Sequence, residues 1–268
     1  MMNNKELIDK YKFNKIPKDL NISTVSACCK LNINVIVDNI VKYLDLEEFQ
    51  INELKYCNKS KKYDDTELKP IIYKKKKPTK IFFNQLTLII YSNFSKKNIN
   101  VKLFKNGSIQ MCGCKDVQDS FIVLDILKVK LSNIKALMID NTITEKPFIE
   151  DNKEVNITDF KVILINSNFK IPFTIEREVL FNILTESKVN CLYEPCKHDC
   201  VNIKYNASTE TDKHNNVKNI SIFVFQSGNI IITGAKDIDI INKAYDYIKT
   251  ILKRHIKEII IAKHPSLN

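Results

Sequence analysis

Side chains able to bind metal or carry out covalent chemistry cluster in few places in this chain of 268 residues. The densest group is Cys191, Cys196, His198 and Cys200, and thiolate with imidazole is a ligand set that suits zinc. The spacing is not that of a C-x2-C pair, however. Cys196, His198 and Cys200 alternate as strand residues do, which makes small packed side chains the other reading. No metal site is assigned on this basis. Enzymatic patterns are missing: 4 Gly form no phosphate-cradling loop, and 4 His show no H-E-x-x-H arrangement. Acidic pairs such as Glu47-Glu48 and Asp64-Asp65 fall in polar stretches and read as solvated. Neither catalysis nor a cofactor is expected.

Charge says more about partners. Lys+Arg 42 against Asp+Glu 31 leaves +11, a surplus that favours a polyanion such as nucleic acid or an anionic membrane surface. No apolar run reaches the roughly 18 to 20 residues of a membrane span, and Met1 to Lys10 lacks the apolar centre of a signal peptide. The 8 Cys include close neighbours, Cys28 with Cys29 and Cys112 with Cys114, as suits reduced thiols in an intracellular protein. The run Lys74 to Lys77 reads as a solvated loop before it reads as a nucleic-acid arm. Hydrophobic residues at 44% and charged residues at 27% are enough for a substantial core.

The elements that must position these groups occur twice. All four glycines obey one offset, Gly107 with Gly228 and Gly113 with Gly234, each 121 apart, and Phe104/Phe225, Ile109/Ile230, Lys115/Lys236, Asp116/Asp237, Lys128/Lys249 and Leu131/Leu252 keep the same register. In each copy an alternating run (Val101 to Lys105; Ser221 to Phe225) meets Asn106-Gly107 or Ser227-Gly228 and a second run follows, the pattern of a hairpin. The period then becomes helical, through Val117, Phe121, Leu124, Leu127 and Leu131 and through Ile238, Ile241, Tyr245, Ile248 and Leu252. Upstream, Leu20 to Ala27 and Lys161 to Asn168 predict strands, and Ile33 to Leu44 and Ile175 to Leu184 predict helices. Further strands are expected at Phe83 to Tyr91 and Val201 to Tyr205, an inserted polar loop at Glu47 to Lys80, and a polar linker at Asp140 to Thr158.

The segment Ile222-Phe223-Val224-Phe225-Gln226-Ser227-Gly228 through Thr233-Gly234-Ala235-Lys236 resembles the TATA-box-binding protein family, and Leu103-Phe104-Lys105-Asn106-Gly107 through Gly113-Cys114-Lys115 is a weaker version. Ile22 to Val25 with Cys29-Lys30-Leu31 looks like the family's first strand and its exit, and Tyr193-Glu194-Pro195 is similar to its second-repeat Y-E-P. Divergence elsewhere, with abundant Lys, Asn and Ile, points to the related proteins of large DNA viruses. The resemblance implies an α+β fold of two repeats forming a saddle, its curved antiparallel sheet facing the minor groove and its helices on the convex side. Expected boundaries are 1–19 for an extension, 20–137 for repeat 1, 138–159 for a linker and 160–263 for repeat 2.

The same resemblance, combined with strand alternation, assigns the DNA-facing residues. Ile222, Val224, Ile230 and Ile232 would face the helices, leaving Phe223, Phe225, Ile231 and Thr233 on the open side, with Leu164 beside them and Gln110 and Cys112 in the first copy. Phe104, Phe225 and Phe83 are wedge candidates, His198 or a neighbour shifted from it aligns with the fourth wedge, and Lys115, Lys204 and Lys236 would sit near phosphates. Two departures stand out. The family's central Asn positions align without gaps with Leu20 and Val162, and Gln110 and Cys112 make the first half of the floor more polar. The implied function is a transcription initiation factor that binds and bends AT-rich promoter DNA, with Glu194 near a surface for general transcription factors and RNA polymerase. It would act in the nucleus or a cytoplasmic viral factory, or travel in the virion. The alternative is a scaffold of the same fold that has lost DNA contact.

Overall fold

Backbone conformation repeats along with the sequence. The computed structural model describes residues 10–11, 13–71, 82–140, 142–151, 154–206 and 220–261; the run Lys74 to Lys77 lies outside them. Gly107 and Gly228 have φ of +77° and +78°, and Gly113 and Gly234 have +103° and +104°. Asp116 and Asp237, one offset apart, both cap helices at φ −144°. The duplication is thus conformational as well as compositional.

The chain divides into two units, one of Thr24–Ile163 and one that joins the described residues up to Ser23 to Leu164 onward. In the first, β1 (Asn21–Leu31, entering at Thr24) leads to α1 (Val37–Tyr43), then β2 (Ile51–Tyr56), β3 (Lys59–Lys62), β4 (Lys69–Pro70), β5 (Gln85–Ser92), β6 (Lys97–Phe104), β7 (Ser108–Cys114) and α2 (Val117–Ser132). Its strands lie in the order β1-β7-β6-β5-β2-β3-β4, all neighbours antiparallel. The second runs from β10 (Ile157–Lys170, entering at Leu164) through α3 (Arg177–Glu186), β11 (Cys191–Leu192), β12 (Cys200–Tyr205), β13 (Ile220–Phe225) and β14 (Asn229–Ala235) to α4 (Ile238–Arg254) and α5 (Ile256–Ile259). Its order is β10-β14-β13-β12-β11, again antiparallel.

Period-two burial gives each sheet one packed face. Leu86, Leu88, Ile90, Val101, Leu103 and Met111 in the first unit and Val201, Ile203, Ile222, Val224, Ile230 and Ile232 in the second are 0% exposed. They meet α2, which packs on β5 and β7, and α4, which packs on β13 and β14. Both helices start on aspartate: Asp116 accepts from Gln118 N at 3.0 Å and Asp237 from Ile240 N at 2.9 Å, filling backbone donors the helix leaves open. Buried Asp119 completes the first cap, accepting from Lys115 N at 2.7 Å and from Ser92 Oγ. Lys128 and Lys249, one offset apart, each hold the segment leading into a long strand, through Glu154 at 3.3 Å and Asp19 at 3.1 Å.

Glycine is required at two of these turns for two reasons together. A Cβ on Gly107 would lie 2.3 Å from Ile33 O, and one on Gly228 would lie 2.5 Å from Phe173 O, at a positive φ that other residues avoid. The close approach lets the turn accept from the strand exit, Leu31 N to Gly107 O at 2.8 Å and Ile171 N to Gly228 O at 3.0 Å.

Several sequence expectations are corrected. Within the stretch 47–80, residues 47–71 are not a plain loop, because Ile51 and Leu54 are buried and pair β2 with β5, while β3 and β4 extend the edge; 72–80 lie outside the described residues. The expected linker carries structure too: β8 (Ile134–Ile139) and β9 (Thr142–Pro147) form a separate hairpin, and β10 starts at Ile157. The first helix of each copy is shorter at its start than expected, beginning at Val37 and Arg177, since Val35 and Ile175 are spent on isolated bridges. Phe83 precedes β5 and lies in a turn.

Candidate nucleic-acid interface

Among the described residues no element covers the face opposite the helices in either unit, and cross-strand pairing orders it into rows. In the second unit one row runs Asn168, Ile231, Phe223, Asn202, Leu192 across all five strands. The next runs Asn166, Thr233, Ser221, Lys204. Phe223, Phe225, Ile231, Thr233 and Leu164 are half-buried while their strand neighbours are sealed inside. Polar groups on this floor are held in place: Thr233 Oγ1 donates to Asn166 Oδ1, Asn21 Nδ2 to Asn168 Oδ1 at 3.1 Å, and Lys204 Nζ to Ser221 Oγ at 2.8 Å. Asn202 Oδ1 is buried without a hydrogen-bond partner among the described residues, an unmet acceptor on an otherwise open face.

The first unit builds the same rows from more polar residues. Cys28, Gln110, Lys102, Thr87 and Lys55 form one, and Ser26, Cys112, Asn100, Ile89 and Glu53 the other. Lys102, Gln110 and Cys112 stand one offset from Phe223, Ile231 and Thr233, so the polar substitutions sit on the face itself. Ser26 Oγ donates to Cys112 Sγ at 3.3 Å.

A β-bulge explains why both floors end where they do. The β10–β14 register shifts between Ile165 and Asn166, and β1–β7 shifts between Val25 and Ser26. Opposite each shift the glycine at φ near +100° is the extra residue. It returns Cys114 and Ala235 to the packed side, both 0% exposed, and leads the chain toward Lys115 and Lys236.

Four side chains mark the strand ends. Phe104 opposes Gln85, with Phe83 two residues back and 67% exposed; Phe225 opposes Cys200, with His198 two residues back and exposed. Pairing register alone therefore equates His198 with Phe83. Lys236 is exposed and Lys115 half-buried. Burial first and the neighbouring Lys97 second hold Lys115 below the ordinary lysine value, a local excess of positive charge that a phosphate would relieve.

Other expected residues are placed differently. Leu20 and Val162, aligned with central asparagines, are buried at 5% and 4% exposure, where an amide would need partners and an aliphatic side chain needs none. The amides of this floor are instead Asn166, Asn168 and Asn202, and the polar alternation Asn166-Ser167-Asn168 was the signal for two of them. Cys196 and His198 belong to a turn, not a strand, in which Lys197 N and His198 N both donate to Glu194 O. Cys191 and Cys200 sit on β11 and β12, their thiols pushed up by burial. Among the described residues no group of three or more His, Cys, Asp or Glu is placed to hold a metal ion. Glu194 is half-buried in the β11–β12 loop and pairs with Lys197 at 2.9 Å; Tyr193 beside it takes Arg177 over its ring.

Residues 159–255 match the family model described as transcription factor TFIID, or TATA-binding protein, TBP. A mimivirus protein from Acanthamoeba polyphaga mimivirus, described as TATA-box-binding protein-like, is 36% identical over 278 residues, covering 96% of this chain and 73% of that one. The chain belongs to the TATA-binding protein family. Its fold agrees: Methanococcus jannaschii TBP aligns over 88% of this chain and 99% of that chain with a TM-score of 0.51, at 16% identity. The α+β class of two TBP repeats is thus the fold found, and TBP membership gives the chain a TBP-type role in transcription. Among the described residues no helix is long and apolar enough to cross a membrane.

Proposed function

We propose that the open sheet face of each unit docks in the minor groove of AT-rich promoter DNA and bends it. The helix-covered side and the Glu194 loop are then left for general transcription factors and RNA polymerase. The observation that carries this reading is the paired strand ends, Phe83 with Phe104 and His198 with Phe225, bordering floors of half-buried apolar and amide side chains. An A·T minor groove presents acceptors and little else, so amide and hydroxyl donors on a mostly apolar floor suit it. Aromatic side chains at the rim suit wedging between base steps. Lys115, Lys204 and Lys236 add sequence-independent attraction to phosphates. The role would be exercised in the nucleus or a cytoplasmic viral factory, with packaging in the virion as a further station.

Mobility-shift and bending assays on AT-rich duplexes at low salt test the proposal. Phe225→Ala is expected to lose bend angle more than nonspecific affinity, and His198→Phe to increase the bend by restoring a fourth aromatic. An unchanged bend in both refutes the wedge assignment. The burial of Leu20 and Val162 favours one competing reading, a TBP-fold scaffold without DNA contact. Absence of DNA affinity at low salt, with capture of initiation factors intact, would establish that scaffold instead.

A further inference from the structure

At the outer corner of the first unit, away from the strand ends that carry Phe83 and Phe104, lies a cavity of about 340 Å³ whose walls include Phe49, Tyr63, Tyr91, Glu48, Glu53 and Lys62. Its aromatic walls are exposed to an unusual degree, Phe49 at 63% and Tyr63 at 44%. Phe49 and Tyr91 stand edge to face, centroids 5.5 Å apart at 74°. Phe49 holds this position at φ +59°, a conformation costly for a bulky residue and sustained only where its surroundings enforce it. The enforcement is visible: Phe49 N donates to Asn52 Oδ1 at 3.0 Å, Asn52 Nδ2 to Asn98 Oδ1 at 2.9 Å, and Tyr91 N to Gln50 O at 2.8 Å.

The charges decide what such a box would hold. On a chain of +11, its lining carries two carboxylates, Glu48 and Glu53, against one ammonium, Lys62, with Lys55 pairing Glu53 at 3.0 Å. Glu48 lies close enough to Tyr63 to push its phenol up. The cation–π contacts among the described residues are at Tyr11, Tyr193 and Tyr245, so no described lysine or arginine lies over the three rings of the cavity. With Glu53 already paired to Lys55, Glu48 is the lining carboxylate left to act on a ligand; an ammonium gains from it and from the ring faces, and a DNA phosphate gains from neither. Among the described residues the second unit has no counterpart, since its edge strand β11 is two residues long and no described strand pairs beyond it.

We propose that Phe49, Tyr63 and Tyr91, with Glu48 and Glu53, form a recognition site for the alkylammonium end of a lysine side chain, methylated or not, on a partner polypeptide. The probe is a nine-residue Gly/Ser peptide with a central lysine, in parallel with trimethyl-lysine and with uncharged norleucine. It is titrated into the full chain with ring-labelled phenylalanine and tyrosine and followed by NMR. Both cationic peptides are expected to shift the Phe49, Tyr63 and Tyr91 ring signals and to bind about fivefold or more tightly than the norleucine peptide. Comparing the two cationic peptides tells whether the methylated form is preferred. Phe49→Leu keeps an apolar side chain at the exposed position and is expected to abolish the charge preference; Glu48→Gln is expected to weaken binding of both cationic peptides. Equal affinity for norleucine, or ring signals unmoved by all three peptides, overturns the proposal. Neither result bears on DNA binding, which is read separately on the same variants.

Discussion

Lys236→Ala gives the sharpest quantitative test of the docking proposal. The lysine is exposed, follows β14 and precedes the helix cap Asp237, so its removal leaves fold and floor intact. With Lys115, Lys204 and Lys236 as the phosphate contacts, log affinity should fall with log salt at a slope of about −2.7, equivalent to a loss of about 40-fold between 50 and 200 mM. Removing one contact should bring the slope to about −1.8 and the loss to about 12-fold. The disadvantage of the variant should therefore shrink about 3.5-fold across that range, as counterion release predicts for one phosphate. Fluorescence anisotropy with a labelled AT-rich duplex at four or more salt concentrations measures both slopes. A variant that binds more weakly at every salt concentration with an unchanged slope would refute the phosphate assignment. A wild-type slope near zero would refute the electrostatic account of all three lysines.

Other expectations follow from the packing and the charges. Gly107→Ala should cost about 2–4 kcal/mol in denaturant unfolding, because strain at positive φ is joined by the clash with Ile33 O. Gly113→Ala meets only Asn98 O at 3.6 Å and should cost less, about 1–2 kcal/mol of strain alone; equal losses would mean that the close approach is not what selects glycine. Phosphate docking should raise the lowered pKa of Lys115, so DNA affinity should fall as pH rises from that lowered value toward 10.5, with proton uptake on binding. Calorimetry in buffers of different ionisation enthalpy reads that uptake, and its absence removes Lys115 from the interface. Burial raises Cys29 to about 12 and Cys114 to about 11, while Cys112 and Cys196 are exposed. Alkylation near pH 8 should label the exposed pair first, and bound DNA should shield Cys112 but not Cys196; mass spectrometry distinguishes the sites.

Much of this was legible in the sequence because two copies constrain each other. The 121-residue offset fixed both glycine turns, both capping aspartates and the alternation that divides Ile222 and Val224 from Phe223 and Phe225. What escaped were features that tertiary pairing decides. Ile51 and Leu54 stand among Gln50, Asn52, Glu53 and Lys55 without a strict alternation, and pairing with β5 makes them a strand. The hairpin of β8 and β9 straddled the expected end of repeat 1 and the start of the linker, and was missed because four residues from 134 to 147 are charged and the others form no clear period. Leu20 and Val162 were placed on the open side by ungapped alignment, yet neighbouring chain buries both. The corner at Phe49 joins residues from 48 to 98 that share no motif, so local pattern carries no trace of it.

The unequal edges of the two units carry a further consequence. A duplicated reader facing an AT-rich stretch, which looks much the same from either strand, has little basis for choosing which way round to land. Here one copy carries extra edge strands, an acidic aromatic corner and Phe83, and the other a two-residue edge and His198. If the proposed docking holds, a partner touching either border would meet only one of these surfaces, and the asymmetry would give a directionless site a heading.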